Sequence, residues 1–226
     1  MTPRDSIAGH RQRLRDKFMK SGLDAFHDYE IVELLLTVGI PRRDCKQPAK
    51  DALKRFGSLR GVLEASPEEL TEIRGLGPRN IFGLKLAQAI ARRYLRERVE
   101  GHDFLRSSRE VIDYLKVSLR DRSREIFSVI YLNGRNQVMA SEELFEGTLT
   151  TSAVYPREVI EAALKHKAAA LVFAHNHPSG NTEPSKEDLE ITRRLKEAAA
   201  TIDVSVHDHI IVSGNDYYSF SDHGLL

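Results

Sequence analysis

In the stretch AHNHPSGNTEPSKED two histidines, His175 and His177, stand one residue apart, and Ser185 and Asp188 follow, three residues apart. The run ahead of them, Leu171 to Ala174, is apolar and suits a buried strand. Side chains two apart on an extended segment point to the same face, so both imidazoles can converge on one ion where the strand leaves the sheet. Open α/β sheets present their ligands at such strand ends. Asp188, in the first turn of the helix that follows Ser185, is the candidate third ligand. Two neutral imidazoles and one carboxylate suit Zn2+. Three protein ligands leave a fourth position of the kind a catalytic zinc keeps for water, whose pKa falls to about 7 there. Ser185 and Asp188 also have the N-cap and N3 spacing of a helix start. Each of these residues taken singly has an ordinary structural use. Cap and ligand site are compatible, because a carboxylate in the first turn of a helix can face outward to an ion.

The elements that must carry these residues alternate in type. IFSVIYLN reads as a strand, NGRN as a turn and QVMASEELF as the returning strand. Pro156 opens a helix to about 167, AALVFAH is a buried strand, a helix runs from Ser185 to about 200, and VSVHDHIIVS supplies one or two further strands. Ser107 and Glu110 have capping-box spacing for a helix to about 120. Strands interleaved with helices predict a layered α/β domain. In the last run His207 and His209 are expected on one face and Asp208 on the other. They are read as strand packing or as hydrogen bonding behind the ligands, in preference to a second metal site. From 11 to 98 the apolar residues recur at three and four, which predicts an all-helical domain with helices near 11–20, 28–38, 46–56, 58–64, 67–73 and 78–97. Ser66, Pro67 and Glu69 supply N-cap, N1 proline and N3 acid for one of them. The boundary is expected near 100–106, in the aperiodic ERVEGHDFLRSS, giving domains 1–103 and 104–226.

Composition narrows the classes further. The chain has 226 residues, 41% apolar and 30% charged, which is long enough for a real core and typical of a globular protein. Its longest apolar runs, such as IVELLL and AAALVFA, are too short to span a bilayer, and no apolar segment follows the basic N-terminus, so the expectation is a cytoplasmic protein without a membrane partner. A single cysteine, Cys45, excludes an internal disulfide and a thiolate-rich zinc cage, so a metal must rely on histidine and carboxylate. Residues 1–100 hold 20 Lys+Arg against 14 Asp+Glu, and residues 101–226 hold 14 against 19. The first part could lie on a polyanion, or the difference is ordinary unevenness.

The spacing His175, Asn176, His177, seven residues, Ser185, two residues, Asp188 resembles the H-x-H-x7-S-x2-D signature of the JAMM (MPN) metalloprotease family. LFEGTL, YPREVIEAAL and HDHIIVSG, together with the AHNHPSGNTEPSKED stretch, resemble the bacterial RadC (UPF0758) family in particular, over residues 104–226. The resemblance implies an α/β sandwich of the JAMM/MPN, cytidine-deaminase-like type, with His175, His177 and Asp188 as zinc ligands. It also implies a glutamate that takes a proton from the attacking water and passes it to the leaving amine. Glu125, at the start of EIFSVIYL, matches that place, with Glu143 and Glu146 as rivals. Ser185 is expected to donate to the oxyanion, its N-cap role being the other explanation.

In the helical part, LTEIRGLGPRNIFGLKLAQAIARR places Gly75 and Gly77 between two helical segments, where the backbone can turn tightly and let a phosphate approach amides at a helix N-terminus. Arg74, Arg79 and Lys85 could add charge. This resembles a helix-hairpin-helix motif over roughly 50–95, with ELLLTVGIPRRDCKQPAKDALKRFG as a degenerate first copy that lacks the G-x-G hairpin. The resemblance implies contacts to DNA sugar and phosphate with little sequence preference. A packing or protein-docking module is the alternative, and the basic N-terminal helix with Arg11, Arg13, Arg15 and Lys17 is read as solvated before it is read as contributing to such contacts. Two functions are thus in view: a zinc hydrolase acting on a protein or peptide substrate at peptide or isopeptide bonds, or a DNA-associated repair or recombination factor whose metal domain acts on nucleic acid or recruits partners. A catalytically silent scaffold is a third. The sequence leaves the oligomeric state open.

Overall fold

The computed structural model describes residues 3–40, 43–104, 108–120, 122, 124–147 and 154–226. Ser107, expected as a cap, lies outside them, as do residues 105–106 of the expected boundary and Thr148 and Leu149 of LFEGTL. The chain divides into two compact units, Met1–Ala91 and Arg92–Leu226.

The first unit contains helices α1 (Pro3–Ser21), α2 (Asp28–Gly39), α3 (Lys46–Phe56), α4 (Leu59–Glu64), α5 (Pro67–Thr71) and the beginning of α6 (Phe82–Val99). Their apolar stripes meet in a core that includes Val32, Leu36, Ala49, Ala52, Val62, Leu70, Leu76 and Leu84. α5 begins with the expected capping box: Ser66 accepts from the Glu69 amide, the Glu69 carboxylate accepts from the Ser66 amide, and Pro67 occupies the first turn. The start of α6 lies almost backbone to backbone with α2. A Cβ on Gly83 would meet the carbonyl oxygen of Leu35, and one on Gly39 would stand 2.9 Å from the carbonyl oxygens of Arg79 and Asn80. Only glycine permits that approach.

In the second unit α7 (Ser108–Leu119), β1 (Ile126–Leu132), β2 (Val138–Glu146), α8 (Pro156–His166), β3 (Ala170–Asn176), α9 (Lys186–Ala200), β4 (Ser205–Ser213) and β5 (Asp216–Ser219) form a layered α/β domain. The sheet order is β2-β1-β3-β4-β5. β1 is antiparallel to both β2 and β3, β3 and β4 are parallel, and β5 returns antiparallel to β4. α8 and α9 cover one face, where Val159, Ala163, Ile191 and Leu195 meet Phe127, Val129, Tyr131 and Phe173. α7 covers the other, with Val111, Leu115 and Leu119 against Ile130, Val172, Ile210 and Val212. Burial on both faces explains why β1 and β3 read as continuous apolar runs, every residue of each being buried. The two units divide ahead of the boundary expected near 100–106, because Leu95 and Val99 from the last turns of α6 pack into the second core. VSVHDHIIVS forms one strand, and β5, which the sequence pattern did not announce, follows it after a turn. Among the described residues no helix is long and apolar enough to cross a membrane.

Candidate metal centre

The parallel pair β3 and β4 is joined through α9, so the carboxyl end of β3 and the N-terminus of α9 lie at the same edge of the sheet. β3 delivers His175 and, one residue past its end, His177. α9 delivers Asp188, held by its own capping box. The Ser185 amide donates to Asp188 Oδ2 at 2.8 Å, and Ser185 Oγ accepts from the Asp188 amide at 3.1 Å. The Ser185 hydroxyl proton goes to the same Oδ2 at 2.6 Å. The cap and the candidate ligand are therefore one assembly.

His175 Nε2 stands 2.9 Å from His177 Nε2 and 3.1 Å from Asp188 Oδ1, and His177 Nε2 is 3.3 Å from Asp188 Oδ2. Among the described residues this is the one group of three such side chains that could hold a metal ion. Bonds of about 2.0–2.1 Å at tetrahedral angles put donor atoms roughly 3.3 Å apart, close to the 2.9 Å between the two Nε2 atoms and the 3.1 Å from His175 Nε2 to Asp188 Oδ1. The donor chemistry fits as well. His177 Nδ1 is 2.8 Å from the carbonyl oxygen of Asn181, which can only accept, so Nδ1 carries a proton and in the neutral imidazole the Nε2 lone pair faces the cluster. Oδ2 of Asp188 already accepts two hydrogen bonds from Ser185, which leaves Oδ1 for a cation.

Asp188 is 3% exposed. Burial alone would push its carboxyl up, but in the metal-free chain the His175 and His177 rings, when protonated on Nε2, donate to it together with Ser185 and hold the group well below the usual carboxylate range. The hydrogen bond with Asp188 pushes His177 above its ordinary value, against the effect of burial. The site thus attracts positive charge to a place hidden from water.

The candidate bases stand in different surroundings. Glu125 is half-buried immediately ahead of β1, its carbonyl accepts from the Gly147 amide at 2.9 Å, and its negative charge is felt at His177. Glu143 lies on edge strand β2, paired with Arg122 at 2.6 Å and 2.9 Å, and Glu146 lies 3.8 Å from Arg124.

A residue that the sequence reasoning passed over joins these parts. Asn176, between the two histidines and turned to the other face, is 1% exposed. Its Oδ1 accepts from the Ile126 amide at 2.8 Å, and its Nδ2 donates to the carbonyls of Arg122 at 3.2 Å and Arg124 at 3.0 Å. It extends the β1–β3 ladder by a side chain and fixes the backbone on both sides of Glu125. Asparagine matches the need, since one amide supplies an acceptor and two donors.

The expectation that His207 and His209 share a face is corrected by a register shift. Leu171 pairs with Val206 but Val172 pairs with Asp208, so one residue is extruded and the alternation is re-phased. His207 turns to Asn136 Oδ1 at 2.8 Å, whereas His209, fully buried, reaches His175 Nδ1 at 2.8 Å. Burial drives the His209 imidazole well below its usual pKa. Asp208 accepts from Ser219 Oγ and the amides of Ser221 and His209, and burial pushes its carboxyl up.

In the helical unit Gly75 has φ +92°, and Arg74 and Arg79 are exposed beside it. Lys85 is placed elsewhere. Its ammonium donates to the carbonyls of Leu63 (3.1 Å) and Ala65 and to Gln88 Oε1 (3.3 Å), so it serves the C-terminus of α4.

The charges at the candidate metal centre predict opposite pH responses for the stability of the metal-free fold and for its affinity toward added zinc. Asp188, depressed below its ordinary 3.8, contributes stability to the metal-free fold that is present above that value and lost as pH falls through its folded pKa. His177, raised above its ordinary 6.5, contributes stability that is present below that value and lost as pH rises through its folded pKa. Relative to His177→Ala, metal-free wild type is expected to gain most in melting temperature between about pH 4 and 6.5, whereas zinc affinity rises with pH through and above 6.5 as the competing proton leaves. Melting and chelator-competition titrations across pH 5–8 check both signs; a zinc affinity independent of pH would contradict the assignment.

Comparison with known proteins places this site in context. Residues 105–225 match the family described as "RadC-like JAB domain", and residues 8–82 match the family described as "UPF0758 N-terminal". A UPF0758 protein of Cellvibrio japonicus (strain Ueda107) is 41% identical over 215 residues, and one of Ralstonia pickettii (strain 12J) is 42% identical over 215 residues. A UPF0758 protein of Dechloromonas aromatica (strain RCB) is 43% identical over 217 residues. Each alignment covers 95% of this chain and 96% of the relative. With two-domain agreement along nearly its whole length, the chain belongs to the UPF0758 family, and its second half is a RadC-like JAB domain.

Proposed function

We propose that the protein is a zinc-dependent hydrolase, acting in the cytoplasm on peptide or isopeptide bonds of a protein or peptide substrate. The observation that carries the reading is the convergence of His175 Nε2, His177 Nε2 and an Asp188 carboxylate at separations suited to one tetrahedral ion, in a JAB-type domain. Zinc, when bound, makes water acidic near neutral pH and polarises a carbonyl. The remaining work falls to the chain. Glu125 takes the proton of the attacking water and delivers it to the leaving amine. Its support is its half-buried place ahead of β1, its electrostatic reach to His177 and the backbone clamp from Asn176. Ser185, at the mouth of α9, has a hydroxyl that holds Asp188 and can turn to the developing oxyanion, at a helix N-terminus that favours negative charge.

Glu125→Gln is expected to lower the rate of zinc-dependent hydrolysis on a peptide and isopeptide panel by about 10²- to 10⁴-fold while zinc content stays at the wild-type level. Unchanged turnover in that variant would remove Glu125 from the chemistry. Loss of zinc along with activity would make it part of the binding site.

A second reading concerns the helical unit, which we propose binds the DNA backbone in the manner of a helix-hairpin-helix. It is favoured by the exposed Arg74 and Arg79 beside Gly75, whose positive φ shapes the turn, and Gly77. Lys85 lends no support, its ammonium being engaged by carbonyls. In this reading the metal domain belongs to a repair or recombination factor. Duplex titrations at 50 mM and 200 mM salt are expected to show affinity that falls steeply with salt and weakens in Arg74→Ala with Arg79→Ala. Binding that is absent at low salt, or indifferent to salt, would dismiss it.

A further inference from the structure

Behind His175 lies a chain of polar side chains that the reaction outlined above does not use. Thr192 sits in α9, one turn after Asp188, and is 3% exposed; His209 sits in β4 and is fully buried. Thr192 Oγ1 is 2.5 Å from the carbonyl oxygen of Asp188 and 2.6 Å from His209 Nδ1. His209 Nε2 is 2.8 Å from His175 Nδ1. Around the His209 ring stand Phe127, Phe173 and Phe220, with centroids 5.6, 5.9 and 4.8 Å away. In that apolar slot each ring nitrogen must find its partner within this chain.

The direction of the hydrogen bonds follows from counting protons. A threonine hydroxyl has one hydrogen, and the Asp188 carbonyl can only accept. Two oxygens at 2.5 Å require a proton between them, so the Thr192 hydrogen goes to Asp188. Thr192 Oγ1 is left to accept, and His209 Nδ1 must donate. A neutral imidazole with its proton on Nδ1 has a lone pair on Nε2. His209 Nε2 therefore accepts, and the donor is His175 Nδ1. In neutral His175 the single ring proton is thereby fixed on Nδ1, and the Nε2 lone pair faces His177 Nε2 and Asp188 Oδ1, 2.9 and 3.1 Å away.

We infer that Thr192 and His209 are positioning residues that lock His175 in the one tautomer able to coordinate a divalent cation through Nε2. The inference rests on the reading of His175 as a ligand. It also closes a loop, because the relay starts on the backbone carbonyl of Asp188 and ends at the histidine that shares an ion with the Asp188 carboxylate. A shift of α9 along the sheet would disturb the ligand and the tautomer together.

The test compares zinc affinity by chelator competition in wild type, Thr192→Val and Thr192→Ser, with melting of the metal-free chains alongside. Valine keeps the shape and removes the acceptor for His209 Nδ1. Thr192→Val is expected to weaken zinc binding about 10- to 100-fold, and Thr192→Ser, which retains the hydroxyl, to restore it. Imidazole 15N spectra of zinc-loaded wild type are expected to show the His175 proton on Nδ1, a readout that holds even if the valine variant folds poorly. Wild-type affinity in a folded Thr192→Val, or zinc on His175 Nδ1, would overturn the relay while leaving the metal centre standing. A wild-type chain that takes up no zinc would overturn the metal reading itself.

Discussion

Asp188 is a carboxylate held away from water at the first turn of a helix, and its position is the constraint on which the rest of the centre depends. A buried anion is costly unless it is matched by hydrogen bonds and positive charge. Ser185 supplies two of those hydrogen bonds from the cap, and the two imidazoles face the remaining lone pairs. An isolated cap would need none of this burial. The energetic demand for a cation and the structural demand for a helix start are met by the same few atoms, so the sequence cannot vary one without the other.

The fold supplies that juxtaposition through one crossover. Parallel strands β3 and β4 must be joined by a connection long enough to return over the sheet, and α9 provides it with Ile191 and Leu195 packed down. Its N-terminus consequently lies beside the last residues of β3. On the other side β1 runs antiparallel to β3, so its beginning, with Glu125 ahead of it, lies at the same end. Asn176 ties the two together where the regular ladder stops. Glu125, the two histidines and Asp188 are thus brought to one end of the sheet by strand direction and the α9 crossover, and their fine placement is left to a few buried hydrogen bonds.

What could be read from the sequence was whatever depends on near neighbours. The two-residue step from His175 to His177 and the three-residue step from Ser185 to Asp188 express strand and helix periods, and both hold in the structure. The α5 cap and the apolar runs of β1 and β3 are local in the same sense. The phase of His207 and His209 was not legible, because the extruded residue in β4 is a property of its pairing with β3. β5 is four residues long and half exposed, with too little pattern to stand out. Lys85 resembled a phosphate ligand by charge and place, yet its ammonium is spent on carbonyls 20 and 22 residues away in the chain. Asn176 and Thr192 carry no signal of their own, since an asparagine and a threonine acquire their roles only from groups brought to them by the fold.

The central claim is that His175, His177 and Asp188 hold a single divalent ion. Elemental analysis of the full-length chain, purified without chelator and dialysed against trace zinc, tests it most directly when wild type is set beside a His175→Ala, His177→Ala double variant whose fold is verified by circular dichroism. The account requires one zinc per wild-type chain and a near-complete loss in the double variant. Equal zinc in the two proteins, or none in either, would contradict it.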